Sequence, residues 1–178
     1  MIYLFYGNGK GKTTASLGQA LRAVGDGKRV FMIQFIKGPW RSGEDEVFAK
    51  FQIPKSKFQI VKMGKGFVGI LGDKLPRSEH ENAAKAALKK AWSEIKTDKW
   101  DMVILDEVNV AVELKLISLK AVVDFVKKVK KIKPEKHLIL TGYARHEPLV
   151  KLADLVTEVK MIKHPYYKGV EAKKGLDY

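Results

Sequence analysis

A glycine-rich run between an apolar segment and a helical pattern constrains the fold of this chain more than any other feature. The run is Gly7-Asn8-Gly9-Lys10-Gly11-Lys12-Thr13-Thr14. It follows the apolar residues 2–6 and leads into residues 13–24, whose apolar positions recur at helical spacing. Glycines let the backbone curl so that several N–H groups point into one concavity at the start of a helix, and such a concavity binds phosphate. The sequence therefore predicts a strand, a phosphate loop and a helix, in that order.

The residues of this loop have separate expected tasks. Lys12 can reach phosphate oxygens and the Thr13 hydroxyl can ligate Mg²⁺, while the whole run from Gly7 to Thr14 is expected to bind a nucleotide. The pattern G-x-x-x-x-G-K-[ST] fails at one position, because Tyr6 stands where the first glycine belongs. A glycine-rich turn without a ligand is the alternative, but the strand–loop–helix context favours nucleotide binding.

Short apolar runs alternate with helix-period segments along the rest of the chain. Most of these runs are hydrophobic at every position, which is typical of parallel strands covered by helices on both faces. We therefore predict a single α/β domain over residues 1–178, with a mainly parallel sheet of about six strands. Strands are predicted at residues 2–6, 29–35, 58–61, 102–105, 137–140 and 155–159, and helices at 13–24, from Ser78 through Ile95, at 118–132 and at 148–153.

Two details of the helices are also predicted. Ser78 and Glu81 are three residues apart, the spacing of a capping box at the start of a helix. The first helix is expected to turn a set of apolar residues toward the core, namely Ala15, Leu17, Ala20, Leu21 and Val24.

A second chemical signal is the run Met102-Val103-Ile104-Leu105-Asp106-Glu107. An apolar strand that ends in acids delivers carboxylates to the carboxyl edge of the sheet, where ligands of such folds bind. One of these acids would hold Mg²⁺ opposite the phosphate loop, directly or through water. A strand end with a capping acid is the alternative, and the neighbouring phosphate loop favours the metal site.

Residues 63–77 are predicted to form a long functional loop, since they contain Gly64, Gly66, Gly69, Gly72 and Pro76.

Composition narrows the possible classes of protein. The chain has no cysteine, which excludes disulfides, thiolate metal sites and cysteine nucleophiles. No apolar run approaches the roughly 20 residues of a membrane helix. No signal peptide precedes the first strand, so we expect a cytoplasmic protein without a membrane partner.

The net charge of +14 attracts polyanions such as nucleotides, nucleic acid or an acidic protein. Lysines concentrate in residues 127–133, where the apolar members continue the stripe of Val122, Phe125, Val126 and Val129. This spacing favours a solvated outer helix face over a nucleic-acid platform.

Blocks of sequence across nearly the whole chain resemble one enzyme family. They are residues 7–14 with Leu17-Gly18, 33–38, Trp40, Gly43-Glu44, 101–107 with Asn109, 140–142, 152–158, 163–165 and 175–178. In this order they are similar to the P-loop corrinoid adenosyltransferases of the CobA/CobO/BtuR type. That family also has an unorthodox residue in place of the first glycine of the loop.

The resemblance implies an unusual use of ATP. In this family the cobalt of cob(I)alamin or cob(I)inamide attacks the 5′ carbon of ATP, and triphosphate leaves. The corrinoid is the nucleophile, so no side chain need act as a general base. The protein positions the reactants and stabilises the charge on the departing triphosphate. The resemblance further implies a RecA-like fold, a homodimer, and a flavoprotein or reduced flavin as the electron donor.

The same resemblance gives roles to polar residues. Lys12 and Lys10 are expected to act as catalytic residues on the triphosphate. Thr13 and Glu107 are expected to hold Mg²⁺, with Asp106 as the second choice of acid ligand.

Phe67 and Trp40 are the residues expected to bind the corrinoid. Phe67 would belong to an apolar wall that removes the lower axial ligand from cob(II)alamin, and a core aromatic under a loop is its alternative interpretation. The chain departs from the family at Gly69, where some members have tryptophan, and at Tyr143, where arginine is common. Arg145 either supplies that missing charge or is an ordinary surface arginine.

Two other functions remain open at the level of sequence. One is a RecA-like P-loop ATPase that depends on nucleic acid, which the net charge favours. The other is a corrinoid delivery protein without turnover. We rank both below adenosyl transfer, and the sequence shows no basic groove motif with interleaved aromatic residues that would favour the ATPase.

Overall fold

The structure is a computed structural model that describes residues 1–38, 40–50, 52–70 and 72–176, without the side chains of residues 48, 49 and 166. Asp177 and Tyr178, which belong to the last block of family resemblance, lie outside the described residues. The strands are β1 (Ile2–Tyr6), β2 (Val30–Gln34), β3 (Phe58–Lys62), β4 (Met102–Asp106), β5 (His137–Gly142) and β6 (Leu155–Glu158). The helices are α1 (Lys12–Gly25), α2 (Gly43–Lys50), α3 (Arg77–Lys96), α4 (Val108–Glu113), α5 (Leu119–Ile132) and α6 (Glu147–Leu152), followed by a 3₁₀ turn at Pro165–Lys168.

The six strands of the described residues form one parallel sheet in the order β3-β2-β4-β5-β1-β6. The carboxyl ends of parallel strands meet at one edge of a sheet. The phosphate loop after β1 and the acids that end β4 therefore lie at the same edge, separated by β5. The predicted fold class, a mainly parallel α/β sheet, is confirmed.

Helices cover both faces of the sheet and enclose two hydrophobic clusters. On one face, α1 places its alanines against side chains of β2, β4 and β5. On the other face, α3 and α5 pack their apolar stripes on the alternate side chains of the same strands. Strands β2 and β4 are buried along their whole length, as expected for central strands of a covered parallel sheet.

The predicted strands agree closely with the structure. The bounds of β1 are identical, and those of the other strands differ by no more than two residues. Helix α5 begins after Ser118, whose hydroxyl accepts a hydrogen bond from the Ala121 N–H at 3.2 Å. The structure adds two short helices that the sequence did not predict, α2 and α4.

The predicted inward face of α1 is partly wrong. Ala15 is exposed and Leu21 is 62% exposed, whereas the buried positions are Ser16, Ala20 and Ala23. Ala20 is buried as predicted, and the partly buried Leu17 and Val24 pack against the cluster on this face of the sheet. The prediction is therefore wrong for Ala15 and Leu21 only, and it missed Ser16 and Ala23.

The predicted capping box at the start of α3 is also wrong. The helix begins at Arg77 with Pro76 in the N-cap position, and no side chain caps it. Ser78 consequently lies inside the first turn. The Glu81 carboxylate forms ion pairs with Arg77 at 3.3 Å and Lys85 at 3.6 Å instead.

The lysine-rich segment forms the outer face of α5, as predicted. Lys127, Lys128, Lys130 and Lys131 are exposed and Val129 between them is buried, while Ile132 at the end of the helix is 49% exposed. Across residues 1–38, 40–50, 52–70 and 72–176, no helix combines the length and the apolar character needed to cross a membrane.

Candidate active site

The phosphate loop is held in shape by the chain that follows β6. The Gly9 N–H donates to the Val159 carbonyl at 2.8 Å, and the Asn8 Oδ1 accepts from the Met161 N–H at 3.1 Å. A Cβ on Gly7 would lie 2.3 Å from the Val159 oxygen, and Gly7 has a φ of +118°. Glycine is therefore required at this position by both contact and backbone conformation.

The start of α1 faces open space. Gly11 is the residue before the helix, with a φ of +116°, and a Cβ there would meet nothing within 4 Å. No side chain caps the helix, so the N–H groups of its first turn are available to an anion. A phosphate group fits this place because the N–H groups at the start of the helix can bind it, as the sequence suggested.

Two lysines of the loop reach different carbonyl groups. The Lys12 ammonium donates to the Gly9 carbonyl at 2.6 Å. Burial lowers the pKa of Lys12, while the nearby Glu107 and Asp106 act in the opposite direction. The Lys10 ammonium donates to the Leu176 carbonyl at 2.7 Å, so the carboxyl-terminal segment lies beside the loop.

Asp106 joins the phosphate loop to two neighbouring strands. Its carboxylate accepts hydrogen bonds from the hydroxyl groups of Thr13 at 3.0 Å and Thr141 at 2.7 Å, and from the Gln34 amide at 3.1 Å. The side chain is fully buried, which raises its pKa, and these hydrogen bonds oppose the rise. Asp106, rather than Glu107, is thus the acid in contact with Thr13.

Glu107 lies between β4 and α4 in a left-handed conformation, with φ 60° and ψ 23°. Its N–H donates to the Thr141 hydroxyl at 2.8 Å, which helps hold this unusual conformation. Burial and the charge of Asp106 raise the pKa of Glu107 to about 7, against the opposing influence of Lys37 and Lys12. A partly buried carboxylate in this state gains from the arrival of a cation.

The oxygen donors of Thr13, Asp106 and Glu107 fit Mg²⁺ in chemical type. The described part of the chain contains no cluster of three or more His, Cys, Asp or Glu side chains able to hold a metal by themselves. Mg²⁺ commonly binds to one or two carboxylates together with substrate phosphates. The residues present therefore suit a metal that arrives with a nucleotide.

Three residues that sequence reasoning did not select extend this network. The Gln34 amide also donates to the Glu44 carboxylate at 3.3 Å, and the Lys37 ammonium binds the same Glu44 oxygen. Burial of Glu44 raises its pKa, but the hydrogen bond and charge of Lys37, together with hydrogen bonds from the Glu44 backbone and Ser42, outweigh burial and bring the pKa to about 2. In the sequence, Gln34, Lys37 and Glu44 were distinguished only by their position in the blocks that resemble the corrinoid adenosyltransferases.

The structure brings Trp40 and Phe67 together. Their ring centroids are 6.0 Å apart with planes inclined at 35°, and the side chains are 61% and 48% exposed. Close packing of two loops makes this pair, since a Cβ on Gly66 would lie 2.5 Å from the Trp40 ring and one on Gly38 would lie 2.9 Å from the Gly66 nitrogen. Phe67 is therefore not a core aromatic, and the pair offers an exposed apolar surface.

Tyr143 and Arg145 both lie beside the phosphate loop. The Tyr143 carbonyl accepts from the Gly7 N–H at 3.2 Å. The Arg145 guanidinium pairs with Glu147 at 2.9 Å and lies 5.9 Å from the centre of the Tyr6 ring. Together with Gly7 these residues line a pocket of about 490 Å³, so Arg145 is placed near the site without contacting the loop's polar atoms.

A larger groove of about 840 Å³ lies elsewhere, between α3 and α5. Trp92 and Phe125 form part of its lining, and it includes none of the residues of the phosphate loop or the carboxyl edge. This groove is larger than the pocket beside the phosphate loop, but size does not identify a site. We place the site at the phosphate loop because the residues there have the chemistry that phosphate and Mg²⁺ require.

Comparison with known proteins finds relatives that match the whole chain. A family model described as ATP:corrinoid adenosyltransferase BtuR/CobO/CobP matches residues 1–178. A corrinoid adenosyltransferase of Sinorhizobium sp is 36% identical over 179 residues, which are 100% of this chain and 80% of that protein. The corrinoid adenosyltransferase of Escherichia coli (strain K12) is 36% identical over 183 residues, covering 100% of this chain and 85% of its own. The corrinoid adenosyltransferase CobA of Salmonella typhimurium has the same identity and coverage.

Solved structures are similar at the level of the fold. The KaiC-like protein PH0186 of Pyrococcus horikoshii OT3 has a TM-score of 0.52 and 16% identity, covering 92% of this chain and 73% of its own. The flagellar accessory protein FlaH of Methanocaldococcus jannaschii has a TM-score of 0.56 and 10% identity, covering 88% of this chain and 69% of its own. These likenesses support the RecA-like P-loop fold expected from the sequence.

Proposed function

The chain belongs to the ATP:corrinoid adenosyltransferase family BtuR/CobO/CobP, and on this premise we propose how its own residues carry out adenosyl transfer. The family's reaction moves the 5′-deoxyadenosyl group of ATP to the cobalt of a reduced corrinoid, cobalamin or cobinamide. The electron pair of cobalt(I) forms the cobalt–carbon bond at C5′. The bond from C5′ to the phosphate oxygen breaks, and triphosphate leaves with the electron pair of that broken bond.

The observation that carries the proposal is the hydrogen bond from Thr13 to Asp106 beside an uncapped helix start. It joins a phosphate loop, whose N–H groups can bind a triphosphate, to a strand whose carboxylate can bind the Mg²⁺ that accompanies it. The loop N–H groups, Lys12 and Lys10 would stabilise that charge as it grows on the leaving group. No described side chain is needed as a general base, because the substrate itself is the nucleophile.

Mg²⁺ would be held by Thr13, Glu107 and Asp106, and when bound it supplies positive charge to the phosphate oxygens. Asp106 already fixes the Thr13 hydroxyl, so it orients that ligand whether or not it binds the metal itself. Glu107 offers a carboxylate whose pKa is raised to about 7 by burial and by the charge of Asp106, so a cation bound beside it would favour its ionised form. The fit of Mg²⁺ to this set follows from its preference for oxygen ligands.

Trp40 and Phe67 would contact the corrinoid. Two exposed aromatic side chains on adjoining loops form an apolar surface that suits a large flat macrocycle. Gly69, whose Cβ would meet nothing within 4 Å, leaves this surface open where some family members have tryptophan. We therefore expect Trp40 and Phe67 to supply most of the aromatic contact.

The test is anaerobic incubation of the protein with chemically reduced cob(I)alamin, ATP and Mg²⁺. We expect light-sensitive adenosylcobalamin and one triphosphate for each cobalt–carbon bond formed. Release of ADP and phosphate without a cobalt–carbon product would contradict the proposal and indicate a P-loop ATPase. Binding of both ligands without any triphosphate would indicate a delivery protein.

Family resemblance also supports three further proposals. The protein is a homodimer, functions in the cytoplasm, and receives a corrinoid reduced by a flavoprotein or reduced flavin. Light scattering would measure the dimer. Replacing chemical reductant with reduced flavin in the transfer assay would test the electron source, and an absence of product with reduced flavin alone would reject it.

A further inference from the structure

Gln34 occupies a central position in the network at the carboxyl edge of the sheet. It ends β2, is fully buried, and lies opposite Asp106 in the register of β2 and β4. Its Nε2 lies within hydrogen-bond distance of carboxylate oxygens of Asp106 and Glu44, at 3.1 and 3.3 Å. Both partners are acceptors, so the amide nitrogen must face them.

The amide is held through its nitrogen alone. The buried Gln34 Oε1 has no hydrogen-bond partner among the residues that the structure describes. A buried amide is costly unless its polar atoms are bonded, so this side chain depends on the two carboxylates. Its orientation is consequently sensitive to any change in how strongly either carboxylate attracts it.

The Asp106 carboxylate connects Gln34 to the phosphate site. Asp106 accepts from the Thr13 hydroxyl at 3.0 Å, and Thr13 lies at the start of α1 beside Lys12. A Mg²⁺–nucleotide complex bound there would place positive and negative charge next to Asp106. Occupancy of the site would therefore change the electrostatic attraction between the Asp106 carboxylate and the Gln34 amide.

The Glu44 carboxylate connects Gln34 to the residues around Trp40. Lys37 binds the Glu44 carboxylate, and Trp40 lies between these two residues in the sequence. The Lys62 ammonium donates to the Trp40 carbonyl at 2.7 Å and to the Ser42 hydroxyl at 3.0 Å, so residues 40–44 are held at both ends. A shift of Glu44 is thus passed to the segment that carries the exposed indole ring.

We infer that Gln34 is a positioning residue that couples occupancy of the Mg²⁺–nucleotide site to the placement of Trp40 in the corrinoid surface. This inference rests on the proposed function. Gln34 itself contacts neither substrate in this arrangement. It joins Asp106 to Glu44, and its removal leaves two sites that bind their ligands independently.

The experiment measures how each ligand changes the affinity for the other. Binding of hydroxocobalamin is titrated with and without Mg²⁺ and ATP, because oxidised cobalt is not a nucleophile and no transfer occurs. In the parent protein we expect Mg²⁺–ATP to tighten corrinoid binding by about fivefold or more, with a reciprocal effect on ATP. In Gln34→Met we expect the mutual effect of the two ligands to fall below about twofold; this ratio is the readout because Asp106 loses one of its three donors, which changes the separate affinities as well.

A spectroscopic signal checks the same coupling without a corrinoid. Addition of Mg²⁺ and ATP should change the tryptophan emission that is lost in Trp40→Phe, and Gln34→Met should abolish that change. Gln59→Met is the matched control, since Gln59 is a partly buried glutamine on the neighbouring strand β3. It should retain both the coupling and the emission change.

Two results would overturn the inference. They are an absence of coupling in the parent protein, and coupling in Gln34→Met equal to that of the parent. If Gln34→Met does not fold, Glu44→Gln serves in its place, because it weakens the bonds to both Gln34 and Lys37 and should reduce the coupling similarly. The anaerobic transfer assay on the parent protein distinguishes failure of this inference from failure of the proposed function.

Discussion

Substitution of Glu107 by Gln tests the electrostatics of the site most directly. Burial and the neighbouring Asp106 raise the pKa of Glu107 from 4.5 to about 7. Between these values the folded chain binds more protons than the unfolded chain, so the free energy of unfolding falls as pH increases. Ionisation of Glu107 therefore lowers the free energy of unfolding, and this loss reaches its full size above pH 7. Glutamine avoids the loss because its neutral amide resembles the protonated acid.

The size of this effect follows from the pKa. A rise from 4.5 to about 7 corresponds to about 3 kcal/mol at pH 8 and less than about 1 kcal/mol at pH 5. Glu107→Gln should therefore be more stable than the parent by about 3 kcal/mol at pH 8, with little difference at pH 5. For a chain of this length, such a gain raises Tm by roughly 6–12 °C.

Urea unfolding followed by circular dichroism, in EDTA and without nucleotide, measures this difference at both pH values. Glu113→Gln is the matched control, since Glu113 is exposed at the end of α4, and it should change stability by less than about 0.5 kcal/mol. An equal gain at pH 5 and pH 8, or a loss at pH 8, would refute the reasoning. Addition of Mg²⁺ and ATP should stabilise the parent more than Glu107→Gln, since the variant lacks the charge that meets the cation.

Other substitutions separate chemistry, binding and packing. Lys12→Ala should lower kcat/KM for adenosyl transfer by about 100-fold or more while leaving the circular dichroism spectrum unchanged, and unchanged turnover would mean that this loop is not the phosphate site. Trp40→Ala should raise KM for the corrinoid about tenfold, with Kd for Mg²⁺–ATP measured by calorimetry within about twofold of the parent. Gly64→Ala should lower the free energy of unfolding by about 3 kcal/mol or more, because its Cβ would lie 2.2 Å from the backbone carbon of Ile36. Gly18→Ala is the control in an exposed helical position with nothing within 4 Å, and it should stabilise the fold by roughly 0.5–1 kcal/mol.

The sheet was predictable because its signals are local. Each central strand is a run of apolar residues that the sheet buries on both faces, and glycine-rich or charged residues follow most of them. The bounds of β1 were correct because the phosphate loop begins directly after Tyr6. The two acids at the end of β4, Asp106 and Glu107, were placed at the correct edge for the same reason.

The two short helices were not predictable from periodicity. Helix α4 is six residues long and nearly all of it is buried, so it has no polar face to reveal a helical period. Helix α2 begins with glycine and three acidic residues, which resemble a loop in sequence. The acids suit the first turn of a helix, but this is recognised only once the helix is known.

The capping box failed because proline changed the position of the helix start. Pro76 has a φ of −64° and an extended ψ of 145°, which places it in the N-cap position and Arg77 in the first turn. Ser78 then lies too far along the helix to act as its cap. A pattern of serine and glutamate is informative only if the helix begins where the pattern requires.

The different roles of Asp106 and Glu107 could not be predicted from their order in the sequence. Asp106 is the last residue of β4, so the strand directs its side chain toward Gln34 and Thr141 on the neighbouring strands, and it receives three hydrogen bonds. Glu107 leaves the strand in a left-handed conformation, and no hydrogen bond to its carboxylate is present among the described residues. Three donors satisfy Asp106 in the absence of any ligand, whereas the charge of Glu107 is balanced only by more distant lysines. We therefore expect Asp106 to be needed for the shape of the site and Glu107 for the binding of the cation.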